Sequence, residues 1–203
     1  MTGERTATIA RDADPTEERD GRRLRSQDSR ARIVAAMLAL IREGEISPSA
    51  ELVAGRANVG LRTVFRHFKD MDSLYREMSE VIEGEVQSIR EKPFTAADWR
   101  GRVVELIDRR LELFERIAPF KRASDVNRHR SRFLGRDNNR LVVVLREILS
   151  GVAPPEEVAD PVLFEALDLL LSFEAWSRLR REQNLSQDEA REVLRAAVRR
   201  LTG

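Results

Sequence analysis

The chain has no cysteine among its 203 residues, which excludes a disulfide, a thiolate zinc site and a cysteine nucleophile. Its two histidines, His67 and His129, are too few and too separated to predict a metal site or a catalytic triad. No apolar run approaches the roughly 18–20 residues of a membrane span, and the charged N-terminus lacks the apolar segment of a signal peptide. We therefore expect a cytoplasmic protein that does not insert into a membrane and holds no metal and no cofactor.

Sequence patterns that support catalysis are also missing. The ten glycines are scattered, and none forms the G-x-G-x-x-G or P-loop spacing that cradles phosphates. Acidic pairs such as Glu83 with Glu85 lie in charged stretches, which favours a solvated surface over an acid–base dyad. We therefore expect a protein that is not an enzyme.

The chain is rich in charged residues and in apolar residues at helical spacing. Charged residues make up 35% and hydrophobic residues 41%, a balance typical of a helical protein with salt-bridged surfaces. Apolar residues recur at helical spacing in successive segments separated by Gly and Pro. The predicted fold class is all-α, with a three-helix N-terminal head followed by a C-terminal helical bundle.

Start and stop signals place the helix boundaries. The first helix is expected from about Ser29 to Glu43, and residues 1–24, which lack periodicity, are predicted to be a disordered charged tail. A polar segment over 121–132 is expected after a helix that ends at Pro119. The candidate caps are Ser47 or Ser49, Asp70, Asp160 and Ser186, and the helix after Asp160 is expected to continue through Trp176.

Residues 49–68, SAELVAGRANVGLRTVFRHF, are predicted to form two short helices joined by a tight turn. Leu52, Val53 and Ala57 give the first of these helices an apolar stripe. The turn over 58–60, Asn-Val-Gly, contains two residues that tolerate a left-handed backbone. This arrangement is typical of a helix-turn-helix that binds DNA.

The second helix of this pair, predicted to start at about Leu61, buries little. Only Val64 and Phe68 lie four residues apart on its inner face. The residues left for its start or its outer surface include Arg62, Thr63, Phe65, Arg66 and His67. Such a helix is suited to lie in the major groove as the recognition helix.

The basic residues of the chain are concentrated around this motif. Between 22 and 69 there are ten basic and four acidic side chains, a net charge of +6 in a chain whose total is +1. The rest of the chain is therefore acidic, at −5. A basic region attached to an acidic body is typical of a nucleic-acid-binding protein.

The ordered string T-V-F-R-H-F, followed by K-D-M-D-S-L-Y, resembles the tetracycline-repressor (TetR) family of bacterial transcriptional regulators. The resemblance covers about residues 30–75, and a weaker one covers the string SFEAWSRLRREQNLS near the C-terminus. It implies a repressor that binds a palindromic operator in double-stranded DNA as a homodimer. It also implies a DNA-binding domain over 25–75 and an effector-binding and dimerisation domain over 76–203.

The resemblance and the helical positions together assign the expected DNA contacts. Arg62 and Thr63, in the first turn of the recognition helix, are expected to reach base edges, and Leu61 a thymine methyl group. Residues further along, and those in the first turn of the first helix, are expected to contact phosphates. The full predicted set is Arg30, Arg32, Gly60, Leu61, Arg62, Thr63, Phe65, Arg66, His67 and Lys69.

Three positions depart from the pattern of the resembled family. Gly60 stands where a serine-type cap is usual, and glycine still caps a helix acceptably. Met71 stands where the family has a lysine at the start of the fourth helix, and Lys69 is the expected replacement for that phosphate contact. Phe65 stands where tyrosine is frequent, so this side chain can pack but offers no hydroxyl to a phosphate.

For the body, the resemblance implies a small-molecule effector pocket and a dimer interface. The expected pocket residues are Phe114, Phe120, Lys121 and Phe133, although the phenylalanines also fit a plain core, and the basic segment fits an anionic effector or a solvated surface. The dimer is expected to form through the last two helices. Its predicted residues are Leu163, Leu167, Leu170, Trp176, Val193, Leu194, Ala197 and Val198.

The fourth helix is expected to be the only rigid link between body and head. Arg22, Arg23 and Arg25 form either a flexible DNA-binding arm or part of a solubilising tail. The chain is alternatively an α-helical enzyme or a scaffold with an incidental helical hairpin, although a scaffold does not need the charge of +6 over 22–69.

Overall fold

The computed structural model describes residues 15–129, 131–158 and 160–203, and every regular element in these ranges is helical. A π-helical segment, Arg178–Glu182, precedes the last helix. The helices are α1 Pro15–Arg42, α2 Ala50–Ala57, α3 Leu61–His67, α4 Met71–Glu91, α5 Trp99–Asn127, α6 Arg132–Ser150, α7 Pro155–Val158, α8 Pro161–Leu170, α9 Phe173–Ser177 and α10 Gln187–Thr202. The predicted all-α fold class is confirmed. Within the described ranges, no helix is both long and apolar enough to cross a membrane.

Two hydrophobic cores divide the described chain into a head and a body. The head core joins buried side chains of α1, α2, α3 and the first half of α4, such as Met37, Val53 and Met78. The body core joins the end of α4 to α5, α6, α8, α9 and α10, with Leu106 and Leu167 among its members. The head therefore has its own hydrophobic support for the helix-turn-helix.

Helix α1 begins at Pro15, so the predicted start near Ser29 is wrong. Residues 15–24, expected to belong to a disordered tail, are helical, and residues 1–14 lie outside the described residues. The extension has no apolar stripe, which is why periodicity did not reveal it. Its Glu, Arg and Gln residues are good helix formers, and extending a folded helix avoids the cost of nucleation.

The predicted caps of the later helices are confirmed. Ser49 rather than Ser47 caps α2, with its hydroxyl accepting a hydrogen bond from the Leu52 amide at 3.2 Å. Asp70 and Ser186 each form a capping box at the start of α4 and α10. These boundaries follow from local hydrogen bonding, which depends on short sequence patterns.

Helix α5 continues through Pro119 to Asn127, so the predicted stop at the proline is wrong. A proline inside a helix costs about 3 kcal/mol. The turn that follows it buries Phe120 and Ala123 in the head core, and burial of a phenylalanine side chain alone contributes up to about 3 kcal/mol. The two effects are comparable, and further contacts at the helix end favour continuation.

Those contacts attach the end of α5 to the loop before α2. The Asn127 amide nitrogen donates to the Ala123 carbonyl at 2.8 Å and to the Ile46 carbonyl at 3.4 Å. The Ser47 hydroxyl lies 3.3 Å from the Asn127 amide oxygen. Both α4 and α5 therefore connect the body to the head, and the expectation that the fourth helix is the only rigid link is wrong.

The predicted continuous helix from Asp160 through Trp176 is also wrong, since α8 ends at Leu170 and α9 begins at Phe173. The Ser172 hydroxyl caps the new helix by accepting from the Ala175 amide at 3.1 Å. The Leu171 carbonyl, which the break leaves free, accepts a hydrogen bond from the buried Arg110 of α5. The break is thus stabilised by a contact from a distant part of the sequence.

Arg110 is almost fully buried, at 1% exposure, and joins three helices. One terminal nitrogen donates to the Leu171 carbonyl at 2.7 Å and the other to the Leu145 carbonyl at 2.5 Å. Burial lowers the pKa of Arg110 to about 10, and the Asp168 carboxylate opposes that shift. The guanidinium therefore stays charged at neutral pH and fixes α5 against α6 and the end of α8.

We predict that Arg110→Ala lowers the free energy of unfolding by about 3 kcal/mol, because it leaves a buried carbonyl unpaired and opens a cavity. Arg116→Ala is the matched control, since this arginine of the same helix pairs with Glu85 at 2.9 Å on the surface. Its cost should stay below about 1 kcal/mol. Urea unfolding of both variants measures the difference, and equal losses would contradict the assigned role of Arg110.

Candidate nucleic-acid interface and body cavity

Helix α3, the predicted recognition helix, is held in place by a small number of buried contacts. Val64 and Phe68 are each 2% exposed and lie in the head core, as predicted. The guanidinium of Arg30 covers the Phe68 ring, 4.5 Å from its centroid. These contacts fix the inner face of α3 and leave its other faces accessible.

The turn before α3 has the backbone that the sequence predicted. Asn58 adopts the left-handed region, with φ 51°, and caps α2 through its backbone amide. Gly60 is extended, with φ −70°, and begins α3 without a side-chain cap. The Thr63 amide donates to the Gly60 carbonyl at 2.7 Å. Helix α3 therefore forms with a glycine at its start, as expected.

Helix α2 deviates slightly from its predicted stripe. Val53, Ala54 and Ala57 are buried, whereas Leu52 is exposed. An eight-residue helix that packs mainly against α1 needs only a narrow apolar face. The exposed leucine lies beside the Ser49 cap at the start of the helix.

The outer surface of α3 combines apolar and basic side chains. Phe65 is 52% exposed and Leu61 is 37% exposed, one helical turn apart. Arg62 and Arg66 of α3, and Lys69 just beyond it, are also exposed. None of these three cations has an ion-pair partner among the side chains that the structure describes, so their charges are available to an anionic partner.

Arg30 and Arg32, expected to meet phosphates, have partners within the head. Arg30 donates to the His67 carbonyl at 3.0 Å and pairs with the Glu77 carboxylate. Arg32 donates to the Asn58 carbonyl at 3.4 Å. Because α1 begins at Pro15, both arginines lie inside the helix and not in its first turn. They position α3 and the turn, and their contact with a phosphate stays a prediction.

His67, at the end of α3, is in a partly desolvated position. Burial lowers the pKa of His67, and the nearby charges of Arg66 and Arg30 lower it further. Its Nε2 atom is buried and has no hydrogen-bond partner in the described chain. The imidazole is therefore neutral at pH 7, and a phosphate contact would have to come from a hydrogen bond and not from its charge.

A cavity of about 150 Å³ lies between α4, α5 and α6, in the body next to the head. Its walls include the apolar residues Ile82, Val86, Ile117, Leu141 and Val144. Its polar residues are Ser79, Lys121, Ser124, Asp137 and Asn138, with charged side chains at its edge. A cavity of this size is comparable to one that holds a benzene-sized molecule.

Of the four predicted pocket residues, only Lys121 lines this cavity. Phe114 packs with Phe173 at a centroid distance of 5.5 Å and belongs to the body core. Phe120 and Phe133 lie in or against the head core. The positions of these phenylalanines therefore fit the alternative that they belong to the hydrophobic cores.

The environment of Lys121 is neither of the two that the sequence suggested for the basic segment, a site for an anionic effector or a solvated surface. The side chain is buried, and its Nζ atom lies 3.0 Å from the Asp125 carboxylate and 3.9 Å from that of Glu174. Its charge is thus compensated within the chain, which removes the main reason to expect an anionic effector. On the opposite wall, the Ser79 hydroxyl donates to the Asp137 carboxylate at 2.8 Å.

Sequence reasoning missed most of the polar cavity residues. Ser79 gave one usable signal, since it lies between Met78 and Ile82 on the inner face of α4 and is 3% exposed. A polar residue at a core position indicates either a buried hydrogen bond or a ligand. Asp137 and Asn138 gave no such signal, because only the packing of α6 on α4 and α5 brings them there.

The predicted dimer surface on α8 and α10 is partly internal. Leu167, Trp176, Leu194 and Val198 are buried in the body core of the single chain, so they offer almost no area to a partner. Leu163, Leu170 and Ala197 are half-buried, and Val193 is exposed. The sequence missed Val162 and Leu169 of α8, which are 78% and 67% exposed, and Leu201 of α10.

The architecture defines a class of fold. A helix-turn-helix head that shares α4 and α5 with a larger all-helical body is the fold of the TetR-family transcriptional regulators. No protein-family model and no curated protein matches this chain by sequence. The likeness is one of three-dimensional structure.

Three solved structures show it. A protein from Streptomyces coelicolor A3(2), assigned as a transcriptional regulator, has a TM-score of 0.60 and 23% identity over 84% of this chain and 98% of its own. A protein from Mesorhizobium loti MAFF303099, assigned to the TetR family, has a TM-score of 0.55 and 19% identity over 87% and 96%. A TetR transcriptional regulator from Rhodococcus sp. RHA1 has a TM-score of 0.51 and 21% identity over 87% and 95%. The predicted TetR fold is confirmed.

Proposed function

We propose that the chain is a DNA-binding transcriptional regulator, a repressor that binds a palindromic operator as a homodimer and responds to a small-molecule effector. In this proposal, 25–75 form the DNA-binding domain and 76–203 form the effector-binding and dimerisation domain. The observation that carries it is the surface of α3, where Arg62, Arg66 and the adjacent Lys69 are exposed and have no ion-pair partner within the described part of the chain.

The dimensions of α3 support insertion into DNA. An α-helix with its side chains is about 10–12 Å in diameter, and the major groove is about 12 Å wide. Arg62 and Thr63 lie in the first turn, the part of a recognition helix that reaches base edges. The apolar side chains of Leu61 and Phe65 on the same helix suit contacts with thymine methyl groups and sugars.

We predict that Arg62→Ala and Lys69→Ala weaken DNA binding in different ways. Arg62→Ala should lower affinity for the operator by about 1–3 kcal/mol and relax preference at one position of each half-site. Lys69→Ala should weaken all sequences alike and reduce the salt slope by about one per lost contact. The measurement is a salt titration of both variants on operator and mixed-sequence DNA, with the exposed Arg199→Ala of α10 as a charge control.

An equal loss on both DNAs for Arg62→Ala would make this residue a phosphate contact and would contradict its assignment as a base reader. The same titration tests the alternative classes of function. An α-helical enzyme or a scaffold has no need to bind duplex DNA. If the wild-type chain does not shift a mixed-sequence duplex even at low salt, the regulator proposal fails.

The homodimer is supported by two adjacent apolar stripes that the single chain leaves uncovered. On α8, Val162 and Leu169 lie two turns apart and are highly exposed. On α10, Val193, Ala197 and Leu201 follow at four-residue spacing along one face, and the first and last are exposed. Packing α8 and α10 against their copies would bury a surface of this kind in a four-helix arrangement.

We predict that Leu169→Glu converts the dimer to a monomer, because it places an unpaired charge in an interface expected to bury more than roughly 1,500 Å². The matched control is Val143→Glu on α6, a helix outside the proposed interface, where the replaced valine is 53% exposed. Sedimentation velocity at micromolar concentration measures the change. A monomeric wild-type chain, or a dimer that survives Leu169→Glu but not Val143→Glu, would contradict this interface.

The effector site we propose is the cavity between α4, α5 and α6. Two of the three helices that form its walls connect body and head, and they contribute Ser79 of α4 and Lys121 and Ser124 of α5. In this turn of α5, Lys121 and Ser124 line the cavity. Phe120 and Ala123 of the same turn pack into the head core. A ligand that displaces this turn changes the spacing of the two recognition helices, which must fit grooves about 34–36 Å apart.

We predict that Ser124→Leu fills the cavity and removes the response to effector while retaining DNA binding. A library of monocyclic small molecules is screened by thermal shift on the wild type and on Ser124→Leu. Compounds that stabilise only the wild type should lower its affinity for DNA by about 1–3 kcal/mol. If such compounds bind in the cavity and leave DNA affinity unchanged, the proposed coupling is wrong for them.

A further inference from the structure

Helix α1 is longer than the head core requires. Its first core residue is Ile33, yet the helix begins at Pro15. Residues 23–28 are all exposed, and six consecutive residues cover the whole circumference of a helix. This part of α1 therefore extends away from the rest of the described chain.

The contacts of α1 fix the direction in which the extension points. At the C-terminal end, the Arg42 guanidinium lies over the ring of Phe120 in α5, 5.2 Å from its centroid, on the side of the body. Nearer the N-terminus, Arg32 reaches the Asn58 carbonyl of the turn and Arg30 reaches the His67 carbonyl at the end of α3. Towards its N-terminus, α1 thus leads from the body to the recognition helix and then beyond it.

The neighbouring helix α4 gives the same direction. Arg30 pairs with Glu77, which lies in the second turn of α4, and α4 starts next to the end of α3. Residues 15–29 of α1 span about 21 Å at 1.5 Å per residue. The extension consequently projects on the side of the head that faces DNA in the proposed function.

The sequence of the extension carries charges of both signs. Residues 17–20 read Glu-Glu-Arg-Asp and have a net charge of −2. Arginines follow at 22, 23 and 25, next to the head, with one aspartate at 28. The side chains of Arg23 and Arg25 are exposed, and both lie within two helical turns of Arg30, which contacts the end of α3.

We propose that the extension of α1 is a rigid, helical DNA-backbone contact, in which Arg23 and Arg25 bind phosphates that flank each half-site. The proposal rests on the DNA-binding function proposed above. It replaces a flexible arm with a helix that holds its arginines in fixed positions relative to α3. Contacts of this kind increase affinity for all sequences without reading bases.

The test compares a double variant, R23Q/R25Q, with R178Q/R181Q, which removes the same charge from exposed positions of the segment Arg178–Glu182, outside the proposed dimer interface. Two lost phosphate contacts per head reduce the salt slope by about 1.8. Affinity for a mixed-sequence duplex should then fall by about 60-fold per head at 0.1 M salt and by about 20-fold at 0.2 M. Fluorescence anisotropy measures both quantities, and circular dichroism checks that each variant is folded.

A second variant separates a rigid helix from a flexible arm. Ser26→Pro interrupts α1 between the arginines and the head core without changing any charge. A rigid contact predicts a loss of affinity close to that of R23Q/R25Q, whereas wild-type binding by Ser26→Pro would overturn the helical part of the proposal. If R23Q/R25Q binds like R178Q/R181Q while the wild type binds DNA, the backbone contact is wrong and the DNA-binding function stands.

Discussion

The passage of α5 through both hydrophobic cores is the constraint on which the rest of the structure depends. The helix supplies Leu106, Leu111 and Phe114 to the body core and, after Pro119, Phe120 and Ala123 to the head core. An α-helix is stiff along its axis, so one element that belongs to two cores limits how each can move relative to the other. The proline marks the point where the helix passes from one core to the other.

Because α5 belongs to both cores, it fixes the body cavity relative to the outer surface of α3. The body cavity lies where α4 and α5 leave the body core, and both helices end or begin in the head. On the far side of the head, Arg30 and Arg32 attach α1 to α3 and to the turn that precedes it. The recognition helix is thereby held from α1, α2 and α4, with only its basic and apolar outer surface free.

The helix-turn-helix could be predicted almost residue by residue, because its signals are local. The Ser49 cap, the left-handed Asn58 and the buried Val64 and Phe68 each depend on residues a few positions apart. The cavity could not be predicted, since Ser79, Ser124 and Asp137 come from three helices. A phenylalanine in an amphipathic stripe gives the same sequence signal whether it lines a cavity or fills a core, and Phe114 fills the core.

The sequence by itself determined the helical class, the starts of α2, α3, α4, α8 and α10, and the basic surface of α3, since capping, periodicity and charge are properties of neighbouring residues. Only the tertiary structure decided that α1 extends back to Pro15, that α5 continues through Pro119 and that half of the expected dimer residues are internal. For α5 and for the dimer residues, the outcome depends on whether distant segments bury or satisfy a group, whereas the extension of α1 continues a helix that is already folded. Arg110 is an example of such a contact, since its guanidinium donates hydrogen bonds to the carbonyls of Leu145 and Leu171. No local sequence pattern predicts that these carbonyls lie beside it.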